Sequence, residues 1–212
     1  MQHGRRNIGL SAMRKSGRVV NPNPAEDAGA SAWRGHSVLQ VPVPPLERWV
    51  RDRTAAYDPG FVSADPRFVH AHVTALGPFV DVLHDELDVD VAGRVAAVAA
   101  QVEPFTYRLT RVATFPNGVV HLVPEPAEPF TRLTALLVEE FPDHPPYAGE
   151  FAPDPHLTLD LVHGDVTEES TRARLDGLLP VEARAAVLDL AWWESGRCRL
   201  VRRWLLGRGA AT

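Results

Sequence analysis

The pattern His-x-Thr occurs twice in this chain, as His72-Val73-Thr74 and His156-Leu157-Thr158. Each copy sits in an extended apolar run, Val-His-Ala-His-Val-Thr-Ala-Leu and Pro-His-Leu-Thr-Leu-Asp-Leu-Val. Residues i and i+2 of a β-strand point to the same face. Each copy therefore sets an imidazole beside a hydroxyl on one face of a strand. Such a face is too polar for a core. Two of them facing one cleft would give a single ligand two histidines and two threonines. One histidine can take a proton while the other gives one, and the hydroxyls can hold phosphate oxygens.

The surroundings of the two copies also repeat. The histidines are 84 positions apart (156 − 72), and Pro42 and Pro124, which close the preceding short apolar strands, are 82 apart. After each of those strands comes a proline-initiated helical pattern. From Pro45 it carries Leu46, Trp49, Val50 and Tyr57; from Pro129 it carries Phe130, Leu133, Leu137 and Phe141. A second helix is predicted after each His-x-Thr strand, with Leu87, Val91, Val95 and Val98 in one. The other opens at Thr167 and runs on through Leu175, Leu178 and Leu179. Phe105 to Ala113 and Val187 to Trp193 read as strands, each followed by a turn signal and another strand. The order strand, helix, His-x-Thr strand, helix, strand, strand is thus given nearly twice. It predicts an α+β fold of two pseudo-symmetric lobes. Each lobe is an antiparallel sheet with helices on its outer face, and the His-x-Thr strands line a central cleft.

Composition narrows the function classes. The chain has 212 residues, of which 45% are hydrophobic, enough for one domain or two small lobes sharing a core. Residues 1–35 are expected to form a flexible tail, 36–206 the bilobal domain and 207–212 a short C-terminal tail. No apolar run is long enough to span a bilayer. One cysteine, Cys198, excludes an internal disulfide framework and suits a cytoplasmic protein, which is expected to be a monomer. The net charge of −5 argues against a broad nucleic-acid binder but allows a small nucleotide or one RNA end. Lysine occurs only at Lys15, so phosphate contacts in the folded domain fall to arginine. The hairpin bearing Arg197, Arg199, Arg202 and Arg203 is the densest candidate.

The paired His-x-Thr strands in duplicated lobes resemble the two-histidine phosphoesterase superfamily. The nearest branch is the bacterial 2′-5′ RNA ligase-like proteins, which include RNA 2′,3′-cyclic phosphodiesterases. The stretch Pro146-Tyr147-Ala148-Gly149-Glu150-Phe151, shortly before His156, is similar to that branch as well. The resemblance covers roughly 36–206. It implies His72 and His156 as the catalytic pair, Thr74 and Thr158 as phosphate-binding hydroxyls, and no metal or other cofactor. The implied substrate is an RNA 3′ end with a 2′,3′-cyclic phosphate, or a small cyclic nucleotide, opened to a 2′-phosphate. The pair is read with His156 as base and His72 as acid, although the residues fit the reverse equally. One departure is Ala75-Leu76-Gly77-Pro78-Phe79, whose Gly-Pro is expected to end the first motif strand early.

His70 shares a face with His72 and is expected at the cleft's edge, where it could contact substrate or orient His72. Phe79, Tyr147 and Phe151 are candidates for stacking on a base. Two other readings stay open. One is a metal-dependent hydrolase using His70, His72 and Asp160, since His-x-His on a strand is a known ligand spacing. The other is a nucleotide-binding regulatory module without turnover.

Overall fold

The computed structural model describes residues 35–83, 86–149 and 152–207. Eight strands and four helices follow in the order β1 (His36–Pro42), α1 (Glu47–Tyr57), β2 (His72–Leu76), α2 (Val89–Ala99), β3 (Phe105–Thr114), β4 (Val119–Glu125), α3 (Glu128–Glu140), β5 (Leu157–Leu161), α4 (Glu168–Arg174), β6 (Val181–Ala185), β7 (Val187–Trp193) and β8 (Arg199–Leu205). They form two four-stranded sheets, β2-β1-β7-β8 and β5-β4-β3-β6, in which every pairing is antiparallel. This is the predicted α+β architecture of two pseudo-symmetric lobes. Of the expected tails, 1–34 and 208–212 lie outside the described residues. Gly207 belongs to the folded unit, because its N–H bonds the carbonyl of Ala99 at 3.1 Å.

The lobes are not the two halves of the chain. A tight turn at Phe115–Gly118 joins β3 to β4, with Gly118 in the left-handed region at φ 89°. That turn draws β3 into the second sheet. The equivalent place beside β1 is then filled by β7, which arrives from the far end of the chain. The sequence pattern missed β6 and extended α4 too far. Helix α4 stops at Arg174, and Gly177 at φ 76° and Pro180 redirect the chain into β6. Leu178 is consequently exposed rather than part of a helical stripe. Leu87 lies before α2, whose start is capped by Asp88 accepting from the N–H groups of Asp90 and Val91 at 2.8 and 3.1 Å.

One continuous apolar core spans both sheets. It joins Leu39, Val41, Val73 and Leu190 to Leu109, Leu122 and Leu157, with Val95 and Val98 of α2 and Leu133 and Leu137 of α3. Helix α2 lies against β8 and α4 against β3, whereas α3 reaches β2 and α1 reaches β5. The motif strands β2 and β5 are the edges of their sheets, and they face each other in contact. As expected, β2 stops at Leu76, just before Gly77-Pro78.

The contact between α1 and β5 is polar and buried. Asp160, whose side chain is completely buried, accepts from Arg53 Nε at 3.0 Å, Tyr57 Oη at 2.5 Å and Thr171 Oγ1 at 2.7 Å. Arg53 Nη2 also pairs with Asp160 and donates to Tyr57 Oη at 3.0 Å. Replacing Asp160 with Ala would leave Arg53 without its counter-charge and two hydroxyls without their acceptor. Breaking a buried pair from one side costs about 3 kcal/mol or more. The D160A midpoint in urea should fall accordingly, with an unchanged m-value.

Candidate active site

His72 opens β2 and His156 immediately precedes β5, so each motif starts where an edge strand begins. In both, Nδ1 lies 2.7 Å from a carbonyl oxygen two residues back, that of His70 for His72 and of Asp154 for His156. A carbonyl can only accept, so each Nδ1 carries the proton. That fixes the tautomer in which Nε2 has a free lone pair. The identical local geometry follows from the repeat: the backbone turns into the strand the same way twice.

Each ring is backed by an aromatic group, again in parallel fashion. His72 lies 5.1 Å from Trp193 between ring centroids. Trp193 donates from its indole N–H to Gln40 Oε1 at 3.0 Å, and Gln40 is paired across the sheet with Thr74. His156 lies 4.9 Å from Phe115, which stacks on His121 at 3.8 Å, and His121 is paired across the sheet with Thr158. Gln40 and His121 thus hold the same place in the two lobes.

A cavity of about 100 Å³ opens between the lobes. His72, Thr158 and Trp193 line it together with Arg53, Tyr57 and Asp160. Thr74 borders a smaller neighbouring cavity with Tyr147 and Asp154. Thr74 and Thr158 are half-buried, and among the described residues neither hydroxyl has a hydrogen-bond partner. They are free to bind oxygens of a ligand. Burial, aided by the nearby His156, pushes the His72 imidazole down to about 4. Burial also lowers His156, partly offset by its bond to the Asp154 carbonyl.

His70 lines the cleft, as expected, but its ring nitrogens are already engaged. It is buried, with Nδ1 donating to Glu47 Oε1 at 2.6 Å and Nε2 accepting from the Ser63 N–H at 3.0 Å. Both ring nitrogens are in use, which leaves its carbonyl, the acceptor for His72, as its link to the site. The same facts remove the metal reading. His70 has no lone pair to give, and the Asp160 carboxylate is filled by Arg53, Tyr57 and Thr171. Phe79 is a core residue packed on Phe141 at 4.9 Å and His144 at 5.0 Å, because the chain turns inward after Gly77-Pro78. Tyr147 borders the smaller cavity, in the left-handed region at φ 50°, with its N–H on the Gly77 carbonyl at 2.9 Å. Phe151 lies outside the described residues. Three arginines of the basic hairpin are engaged elsewhere: Arg203 forks onto buried Asp189, Arg199 bonds the Val82 carbonyl and Arg197 pairs with Glu194, while Arg202 lies over the Trp204 ring at 5.7 Å. Cys198 is buried, which pushes its thiol up to about 11 and disfavours the thiolate.

Residues 42–197 match the family model described as the 2′-5′ RNA ligase superfamily. The chain belongs to this superfamily. The resemblance drawn from the two motifs, to the two-histidine phosphoesterases, is thereby met. Among solved structures, E. coli LigT complexed with 3′-AMP is similar at 17% identity, over 81% of this chain and 98% of that one, with a TM-score of 0.50. The protein TT0787 of Thermus thermophilus is also 17% identical, over 82% and 100%, with a TM-score of 0.45. At such identities the E. coli protein supports the fold alone. No curated protein sequence matches. No helix among the described residues is long and apolar enough to cross a membrane.

Burial of His72 favours its neutral form, which has a consequence for stability. Unfolded imidazoles take up a proton near the ordinary value of 6.5, whereas native His72 does so only near 4. Between those values the unfolded chain binds more protons, so stability falls as pH drops from about 6.5 to about 4. The wild-type melting temperature should decline across that window, and more steeply than that of His72→Gln.

Proposed function

We propose that this protein is a metal-independent phosphodiesterase that opens 2′,3′-cyclic phosphates on RNA 3′ ends or on small nucleotides. The observation that carries the reading is the pair of histidines with the same fixed tautomer, each with a free Nε2 and a neighbouring free threonine hydroxyl. Such a set suits in-line displacement at phosphorus. A neutral imidazole takes a proton from water as the new P–O bond forms. The opposite imidazolium gives a proton to the departing 3′ oxygen, leaving the phosphate on the 2′ position. Thr74 and Thr158 donate to the non-bridging oxygens, where charge grows in the transition state.

The environments of the two histidines favour His72 as the base and His156 as the acid, the reverse of the order read from sequence. His72 is backed by Trp193 and pushed down to about 4, so it is neutral in the free protein. Burial lowers His156 as well, and its bond to the Asp154 carbonyl and the Asp154 carboxylate offset part of that. An anionic substrate bound between them raises both values, which helps the histidine that must stay protonated.

Hydrolysis of adenosine 2′,3′-cyclic phosphate and of an RNA ending in that group checks the reading, with excess chelator present. Turnover should persist, give only the 2′-phosphate and drop by at least about 1,000-fold in both His72→Ala and His156→Ala. Turnover lost to the chelator, or retained in either variant, would refute it. The pH profile of kcat/KM should be bell-shaped with its optimum below 6.5, because both free imidazoles are lowered from that value. The kcat profile should sit at higher pH, since the bound phosphate anion raises the acid.

A further inference from the structure

We infer that Arg53 of α1 is a phosphate-binding residue of this cleft, taking a non-bridging oxygen of the phosphodiester through the free edge of its guanidinium. This rests on the phosphodiesterase reading and adds what that reading lacks. Attack on a phosphodiester anion builds a second negative charge on the equatorial oxygens. The two threonines are neutral donors, the base is neutral, and the acid surrenders its charge with its proton. A cation that stays charged throughout would hold that developing charge.

Arg53 fits this role by position and by its bonding. It lines the same cavity as His72 and Thr158, and its side chain is 20% exposed. A guanidinium has five N–H donors. Nε is used on Asp160, and Nη2 on Asp160 and on Tyr57. Among the described residues the two N–H groups of Nη1 have no partner. The carboxylate and the phenol therefore lock the fork and leave one edge open. Such a fixed, planar donor suits a phosphate oxygen.

The competing account is a purely structural ion pair across the lobes. Asp160 does need a counter-charge. It also has Tyr57 and Thr171 as donors, with Arg174 at 4.0 Å. The cavity's other carboxylate, Asp58, accepts from the Gly60 N–H at 2.9 Å and caps its own turn. Arg53 also stands where the helical stripe of Leu46, Val50 and Tyr57 would place an apolar side chain. A surface helix carries a charge at such a position only against a polar partner, and here that partner is itself buried at the site.

The test pairs Arg53→Gln with Arg53→Gln/Asp160→Asn. The double variant removes both charges together and preserves the fold if the single change does not. Each is assayed for hydrolysis of adenosine 2′,3′-cyclic phosphate and, by calorimetry, for binding of adenosine 2′-phosphate against adenosine. We expect kcat to fall about 100-fold in folded protein. Affinity for the 2′-phosphate should fall about tenfold and that for adenosine should not change. Tyr57→Phe, which keeps the ion pair but loosens the fork, should lower kcat less. A folded double variant within twofold of wild type in both assays would overturn the inference. Wild type that binds the 2′-phosphate through Arg53 but does not hydrolyse would sink the catalytic reading and leave the binding role standing. Wild type that does neither overturns both.

Discussion

Two sheet edges that face each other will pair or drift apart unless something fixes their spacing. Here the spacing is set by α1, which grips both motif strands through its polar side. At its first turn, Glu47 accepts from the N–H groups of His70 and Ala71 at 2.6 and 3.1 Å and from His70 Nδ1 at 2.6 Å. That holds the entry to β2. Two turns later, Arg53 and Tyr57 hold Asp160 in β5. The helical rise puts these grips about 9 Å apart along the axis. Each grip pairs a carboxylate with several donors, so neither charge is left bare in the interior. One rigid helix thus determines where His72 and Thr158 stand relative to each other.

The same construction explains why the site's polar groups have unequal freedom. The polar groups of His70, Glu47, Asp160 and Gln40 are engaged by neighbours. Their work is to fix backbone and ring positions. His72, His156, Thr74 and Thr158 each keep one group unspent. Saturating the supporting groups also removes competing lone pairs, which is what separates this cleft from a metal site built of the same residue types.

The sequence made the motif strands, both long core helices and the bilobal architecture legible, because those depend on periodicity and on a repeat. What it could not show depends on strands far apart in the chain. Trp193 reaches His72 only because β7 returns to pair with β1, and no local pattern encodes that pairing. Phe115 and His121 back His156 because a hairpin turn brings them together. Phe79 misled for the opposite reason: its nearness in sequence to the first motif said nothing of the turn that buries it. Arg53 did leave a signal, as a charge on an apolar helical stripe, and Asp160 left another, as a carboxylate on the motif face of β5. Two misplaced charges in two elements are a pattern that can be sought in sequence, since each is tolerable only if it finds the other.

A repeat makes two equal sites, but acid–base catalysis needs unequal ones. If both lobes were the same, both histidines would titrate together and the productive form, one neutral and one charged, would hold no advantage. The structure keeps the duplication in the backbone, where both Nδ1 atoms bond a carbonyl at 2.7 Å. It breaks the duplication in the surroundings. One ring is set against an indole, a deep cavity wall and a saturated Glu47–His70 pair; the other against a benzyl ring, a third histidine and the carboxylate of Asp154. In the proposed mechanism, polarity would therefore come from residues outside the motif, and it is there that divergence between the lobes would have chemical meaning.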